Sequence, residues 1–190
     1  MGKTRCGWVS DDPLYISYHD EEWGVPVRDD QRLFEFLILE TFQAGLSWIT
    51  VLRKRENFRK AFDQFDVRKV AAYDDAKVES LMADAGIIRN GAKIRAAVSN
   101  AQAFIQIQKE FGSFSKYIWN FVDGKPIQNN WASLKQLPPK TELSDRISAD
   151  LKKRGFKFVG STVIYAHMQA TGMVNDHTTD CFRHQEVKAY

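Results

Sequence analysis

The sequence predicts an all-α protein on three observations. Apolar residues recur at three- and four-residue spacings in one segment after another. Strand-like alternation is scarce. Asp, Ser and Gly stand where these segments begin and end, as helix caps do.

The elements follow in order. Leu33, Phe34, Leu37 and Ile38 mark a helix with Asp29 or Asp30 as its cap. Ser47 caps a second, with Trp48, Val51, Leu52 and Arg55 on one stripe. Asp66 opens a short helix through Val67, Val70 and Ala71. Asp74 or Asp75 opens another through Val78, Leu81 and Met82, and Gly86 is expected to close it. Ile94, Ala97, Val98, Ala101, Phe104 and Ile105 share one face of a longer helix. Ser113 caps the next, with Phe114, Tyr117, Ile118 and Phe121 inward. The stretch 123–143, with Pro126, Pro138 and Pro139, reads as irregular. Ser144 is expected to cap a helix through Ile147 and Leu151 that Gly155 breaks. Gly160 precedes a final apolar helix, Val163 to Ala170, ended by Gly172.

At 190 residues the chain suits a single unit with its own core, with no need for a disulfide scaffold. Composition is ordinary for a globular protein, at 44% hydrophobic and 27% charged residues. Five Trp, six Tyr and thirteen Phe are more aromatics than a small core needs, so either dense packing or a stacking pocket is expected. The net charge of +3 and pI near 8.8 permit nucleic-acid binding without demanding it. The basic runs Arg53-Lys54-Arg55 and Lys152-Lys153-Arg154 read first as solvated helix faces. No apolar run approaches a membrane span and no apolar leader segment stands at the N-terminus, so a cytoplasmic protein with unpaired thiols is expected.

Each end of the chain supplies one Cys and one His. Twelve residues separate Cys6 from His19, and three separate His177 from Cys181. Two sulfurs and two ring nitrogens are a preferred tetrahedral zinc set, and such a site would pin termini that otherwise fray. Spacing alone leaves open two buried free thiols beside unrelated histidines. His184 is a competing ligand. His167, in an apolar helix, is expected to be packed.

Four blocks carry a resemblance that spans nearly the whole chain: RCGWVSDDPLYISYHDEEWGVP, LETFQAGLSWITVLRKRENFRKAF, DAGIIRNGAKI and LKKRGFKFVGSTVIYAHMQATGMVNDH. The sequence resembles the 3-methyladenine DNA glycosylase I family of bacterial alkylation repair. The resemblance implies a helix-hairpin-helix glycosylase fold of two helical lobes, with the hairpin element near 76–107. It implies a structural Zn2+ at Cys6, His19, His177 and Cys181, joining segments 1–25 and 160–190 away from the base. It also implies a monomer that acts on alkylated double-stranded DNA, releases 3-methyladenine and leaves an abasic site without cutting the strand.

The chemistry assigns residues to each task. Gly86, Arg89, Gly91 and Lys93 belong to the hairpin, which on its glycines alone reads equally as a plain αα-turn; the resemblance implies that its backbone N–H groups at a helix start bind phosphate. In related bifunctional enzymes a Schiff-base lysine stands near Lys93, but the family resembled here is monofunctional. 3-Methyladenine in DNA is cationic, and aromatic faces attract planar cations. The resemblance gives Trp8, Tyr15, Tyr18 and Trp48 that role, with Trp23 read as core. It makes Glu40 the base-reading carboxylate, accepting from adenine's amino group and opposing guanine's O6. Gly45 and Leu46 lie between two helices, as an ordinary connection or, given the resemblance, as the loop expected to fill the gap left by an extruded nucleotide. An Asp expected some twenty residues after the hairpin in most relatives of this fold is absent, and Glu110 is assigned no role. N3 methylation already weakens the glycosidic bond, so binding and extrusion carry more of the task than acid–base catalysis. A zinc-pinned DNA-binding module without activity and a wider methylpurine range are the rival readings. Hydrolysis at the zinc is disfavoured, because four protein ligands leave no open position.

Overall fold

A computed structural model describes residues 2–190. Ten α-helices dominate them: α1 Pro13–Glu21, α2 Asp30–Phe42, α3 Trp48–Ala61, α4 Val67–Ala71, α5 Asp75–Ala83, α6 Gly91–Phe111, α7 Phe114–Asn120, α8 Glu142–Lys153, α9 Ser161–Ala170 and α10 Phe182–Glu186. One short parallel pair joins β1 Ile127–Gln128 to β2 Val174–Asn175, with Ile127 opposite Val174.

α2 is the central element. Every residue from Leu33 to Phe42 is buried, so the helix is enclosed on all sides rather than amphipathic. It packs on α9 and on α3, α6 and α7. Two carboxylates are enclosed with it. Glu35 is neutralised by Arg55 at 2.7 Å and Arg59 at 2.8 Å, and Arg55 also reaches Glu22 at 2.9 Å. Removing one member of such a buried pair costs about 3–5 kcal/mol. The network fixes α3 against α2, which sets the position of Glu40, about one and a half turns further along.

The capping aspartates act as expected. Asp29, Asp66 and Asp74 accept from backbone N–H groups at the starts of α2, α4 and α5, and Ser113 does so for α7. Several expectations are corrected. α5 ends at Ala83, and Gly86 is not left-handed; its N–H donates to Asp84 Oδ1 at 2.7 Å instead. Thr141, not Ser144, caps α8, and Ser144 completes a reciprocal capping box. Ser47 precedes α3 but bonds Thr50 Oγ1 rather than a backbone N–H. Val98, Ile105 and Phe121 lie at the margins of their buried faces. Of the Arg53–Arg55 run only Arg53 is a solvated face residue. Arg55 is buried, Arg53 pairs with Asp12, and Lys54 donates to Ala85 O.

The aromatic surplus is mostly core. Phe34, Phe42, Phe58, Phe62, Phe65, Phe104 and Phe114 are fully buried, and Phe104 and Phe114 stack at 4.1 Å. Glycine is required at Gly172, which has φ +71; a Cβ there would stand 2.5 Å from Pro26 N. This close approach seats the end of α9 on the segment after α1, where Val27 N donates to Thr171 O at 2.9 Å.

Candidate active site

A cavity of about 200 Å³ opens between α1, α2, α3 and α9, lined by Trp8, Tyr15, Tyr18, Trp23, Glu40, Gln43, Trp48, Leu137, Ala166 and Gln169. Asp12 caps α1 at Leu14 N and Pro13 starts it, so Tyr15 and Tyr18 share one face. Trp8 meets Tyr15 and Trp23 at 5.0 Å each, and Tyr18 meets Trp48 at 5.8 Å. All four expected aromatics and Glu40 therefore converge. Trp23 is both core, at 8% exposure, and cavity wall. Gln43, Leu137, Ala166 and Gln169 were not legible as wall residues; helical spacing gives α9 an inward face but not what that face meets.

Glu40 is enclosed, and among the described residues its Oε2 has no hydrogen-bond partner; Trp48 Nε1 likewise has none. Burial without a counter-ion pushes the Glu40 carboxyl up to about 8. Burial, then the charge of Glu40, raises the Tyr18 phenol well above its ordinary range. Gln169 donates Nε2 to Asp176 Oδ2 at 2.8 Å. Asp176 also accepts from Tyr165, Asn129 and Trp131, so one buried carboxylate ties the irregular segment to α9.

Behind Trp8 and Trp23 stands the Cys/His cluster. The ligand atoms of Cys6, His19, His177 and Cys181 lie within 4.8 Å of one another, and all four residues are buried. Sulfur-to-nitrogen separations are 3.5 Å for Cys6–His177 and Cys181–His19, and 3.6 Å for Cys181–His177. A tetrahedron with ordinary zinc bond lengths has sulfur–nitrogen edges of about 3.6 Å. The outer nitrogens are tied as in metal sites: His19 Nδ1 to Asp20 at 2.7 Å, and His177 Nε2 to Trp23 O at 3.0 Å. The Cys6 contact, then His177 and His19, holds the Cys181 thiol far below its ordinary range. The cluster fits a tetrahedral metal ion. His184 is no competitor, since its Nε2 bonds Asn129 O, and His167 bonds Leu33 O. Trp23 meets His177 at 4.7 Å, so one aromatic layer separates cluster from cavity.

The hairpin joins α5 to α6 through residues 84–90. Asn90 caps α6 by accepting from Lys93 N–H at 3.1 Å. This takes one donor expected for phosphate, while Gly91 and Ala92 N–H have no acceptor among the described residues. Arg89 is exposed, and burial lowers the Lys93 pKa. Asn57 Nδ2 and Lys54 Nζ hold the carbonyls of Gly86 and Ala85. α3 thus links the hairpin to the loop before it, where Gly45 has φ +77 and Leu46 is 40% exposed. Glu110 is exposed and paired with Arg154, away from any site role.

This fold, with a carboxylate-bearing aromatic cavity, is that of a helix-hairpin-helix DNA glycosylase. The methyladenine glycosylase family model matches residues 8–184, and the chain belongs to that family. It is 54% identical over 177 residues to DNA-3-methyladenine glycosylase 1 of Escherichia coli (strain K12), covering 93% of this chain and 95% of that one. A crystal structure of 3-methyladenine DNA glycosylase I superposes with TM-score 0.92 at 54% identity, covering 94% of this chain and 98% of the other. A structure describing 3-methyladenine recognition by the Staphylococcus aureus enzyme superposes with TM-score 0.91 at 36% identity, over 94% and 95% of the chains.

Proposed function

We propose that the protein excises 3-methyladenine from alkylated double-stranded DNA, hydrolysing the N-glycosidic bond and leaving an abasic site. The observation that carries this is Glu40: a buried carboxyl with an unpaired oxygen in an aromatic-walled cavity. Burial by itself favours its neutral form. A cationic purine supplies the missing counter-charge, favours the carboxylate and receives a hydrogen-bond acceptor for its amino group. Guanine's O6 would face that acceptor unpaired. Trp8, Tyr15, Tyr18 and Trp48 hold the ring by stacking and cation–π attraction.

The base reaches the cavity by extrusion from the duplex. Leu46, on the turn that Gly45 permits, fills the vacated space. The hairpin holds a strand phosphate through the Gly91 and Ala92 N–H groups, with Arg89 and Lys93 adding charge and Gly86 held by Asn57. Glu40 acts by recognition and charge, and departure of an already activated base does the rest. Lys93 forms no covalent adduct in this reading.

Zinc at Cys6, His19, His177 and Cys181 is structural. Its four protein ligands leave no position for water, so its contribution is to fix the termini and, through Trp8 and Trp23, the back wall of the cavity. The whole chain acts as one catalytic unit, as a monomer in the cytoplasm. No helix among the described residues is long and apolar enough to cross a membrane.

The test is free-base release from methylated duplex DNA, resolved by chromatography. A 3-methyladenine peak without 7-methylguanine is expected. DNA binding with no release would support the zinc-pinned binding module, and both peaks a wider methylpurine range.

A further inference from the structure

The turn between α8 and α9 has a feature that the base cavity does not require. Phe158 is 45% exposed and has φ +57, a conformation unfavourable for any bulky side chain. Its neighbours hold it there. Fully buried Asn100 uses both ends of its amide, donating to Lys157 O at 3.0 Å and accepting from Lys157 N–H at 2.8 Å. Ser148 Oγ donates to Val159 O at 2.6 Å. Phe156 and Val159 are buried on either side. The chain is anchored at two points, and the anchoring drives one phenyl ring into solvent.

One cation stands over that ring and another adjoins it in the chain. Lys93 Nζ, from the start of the hairpin helix α6, lies 6.0 Å from the ring centre. Lys157 is exposed and adjacent in the chain, and Arg89 is exposed on the hairpin. None of the three makes an ion pair among the described residues. An exposed aromatic ring beside the Lys93 ammonium, on the helix whose first two N–H groups have no acceptor among the described residues, matches a nucleic-acid strand: anionic phosphates alternating with apolar sugar faces.

We propose that Phe158 is a DNA contact that packs against a deoxyribose of the strand whose phosphate sits at the hairpin, with Lys93 on that phosphate. The strained backbone keeps the ring in place before DNA arrives. This rests on the hairpin's phosphate role proposed above.

The experiment measures binding of a duplex carrying a stable abasic analogue, by fluorescence anisotropy, for wild type, Phe158→Gly and Phe158→Tyr. Melting temperature and binding of free 3-methyladenine are measured alongside. Glycine tolerates the left-handed backbone, so Phe158→Gly should melt no lower than wild type. It should bind free base unchanged and the duplex about ten-fold more weakly, and Phe158→Tyr should restore binding. Duplex affinity within two-fold of wild type in Phe158→Gly would overturn the inference and leave the hairpin reading intact. So would a loss of affinity accompanied by a lower melting temperature, which marks a structural role. A wild-type protein that does not bind the duplex overturns the hairpin reading and this inference with it.

Discussion

Glu40 Oε2 and Trp48 Nε1 both lie buried in the wall of one cavity, and neither has a hydrogen-bond partner among the described residues. Each orphaned atom costs about 1–3 kcal/mol of stability. α2 brings one to the site and α3 the other, and the Glu35–Arg55 ion pair locks these two helices together. The cavity thus holds an acceptor and a donor in readiness for a ligand that offers both complements, as an adenine edge does.

Stability should depend on the Glu40 charge. Its folded pKa, about 8, lies above the ordinary 4.5. The fold therefore favours the protonated form; that contribution is complete below about 4.5 and is lost as pH rises through 8. Glu40→Gln removes the titration. Its advantage over wild type in urea melts should grow from about pH 5 to about pH 8.5, by up to about 5 kcal/mol. A pH-independent difference would contradict the role given to burial.

His167 acts in the opposite pH range. Burial between α9 and α2 pushes it down to about 4, against a slight opposing pull from its Leu33 O bond at 3.1 Å. The unfolded chain takes up a proton near pH 6.5 and the folded one does not until about 4. Stability should fall over that interval by up to about 3 kcal/mol. His167→Phe should flatten this acid slope between about pH 7 and about pH 5, as measured by denaturant unfolding.

Cys181→Ser should lower both bound metal, measured by elemental analysis, and melting temperature. Metal-site loss at this scale costs several kcal/mol. Because one aromatic layer separates cluster and cavity, base binding should weaken as well. Wild-type protein purified without metal yet equally stable would contradict the site.

Asp63, Gln64 and Phe65 form a turn with three successive positive φ values of 50, 58 and 58. Gln64 is exposed, and among the described residues its only hydrogen bond is the one its backbone carbonyl accepts from Gln31 Nε2, which glycine keeps. Gln64→Gly should therefore stabilise the protein by about 1 kcal/mol, read as a rise in melting temperature.

Helices with a one-sided apolar stripe or an Asp cap were legible in the sequence, as α2, α4 and α6 show. α1 was not, because PLYISYHDE has little one-sided apolar character and its inward residues face a cavity and the Cys/His cluster. α10 and the β1–β2 pair were missed because five- and two-residue elements leave no periodic signal, and α10, unlike the equally short α4, has no capping side chain. The site was legible as residue types that converge on one cavity, and the family resemblance supplied the roles expected of them. What remained hidden depends on tertiary placement: Gln169 tied to Asp176, Trp23 serving core and cavity together, and the cluster lying directly behind the cavity wall. Phe158 was hidden for another reason: nothing in GFKFVG tells which phenylalanine turns outward.

The measurement that tests the central claim most directly is single-turnover release of 3-methyladenine by Glu40→Gln beside wild type, at saturating enzyme. The substituted amide keeps the shape of the cavity but cannot supply the negative charge. Release is expected to slow by at least about ten-fold, equivalent to ~1.4 kcal/mol of barrier, with abasic-duplex affinity unchanged. Release at the wild-type rate would remove Glu40 from the reading of the base and contradict the account.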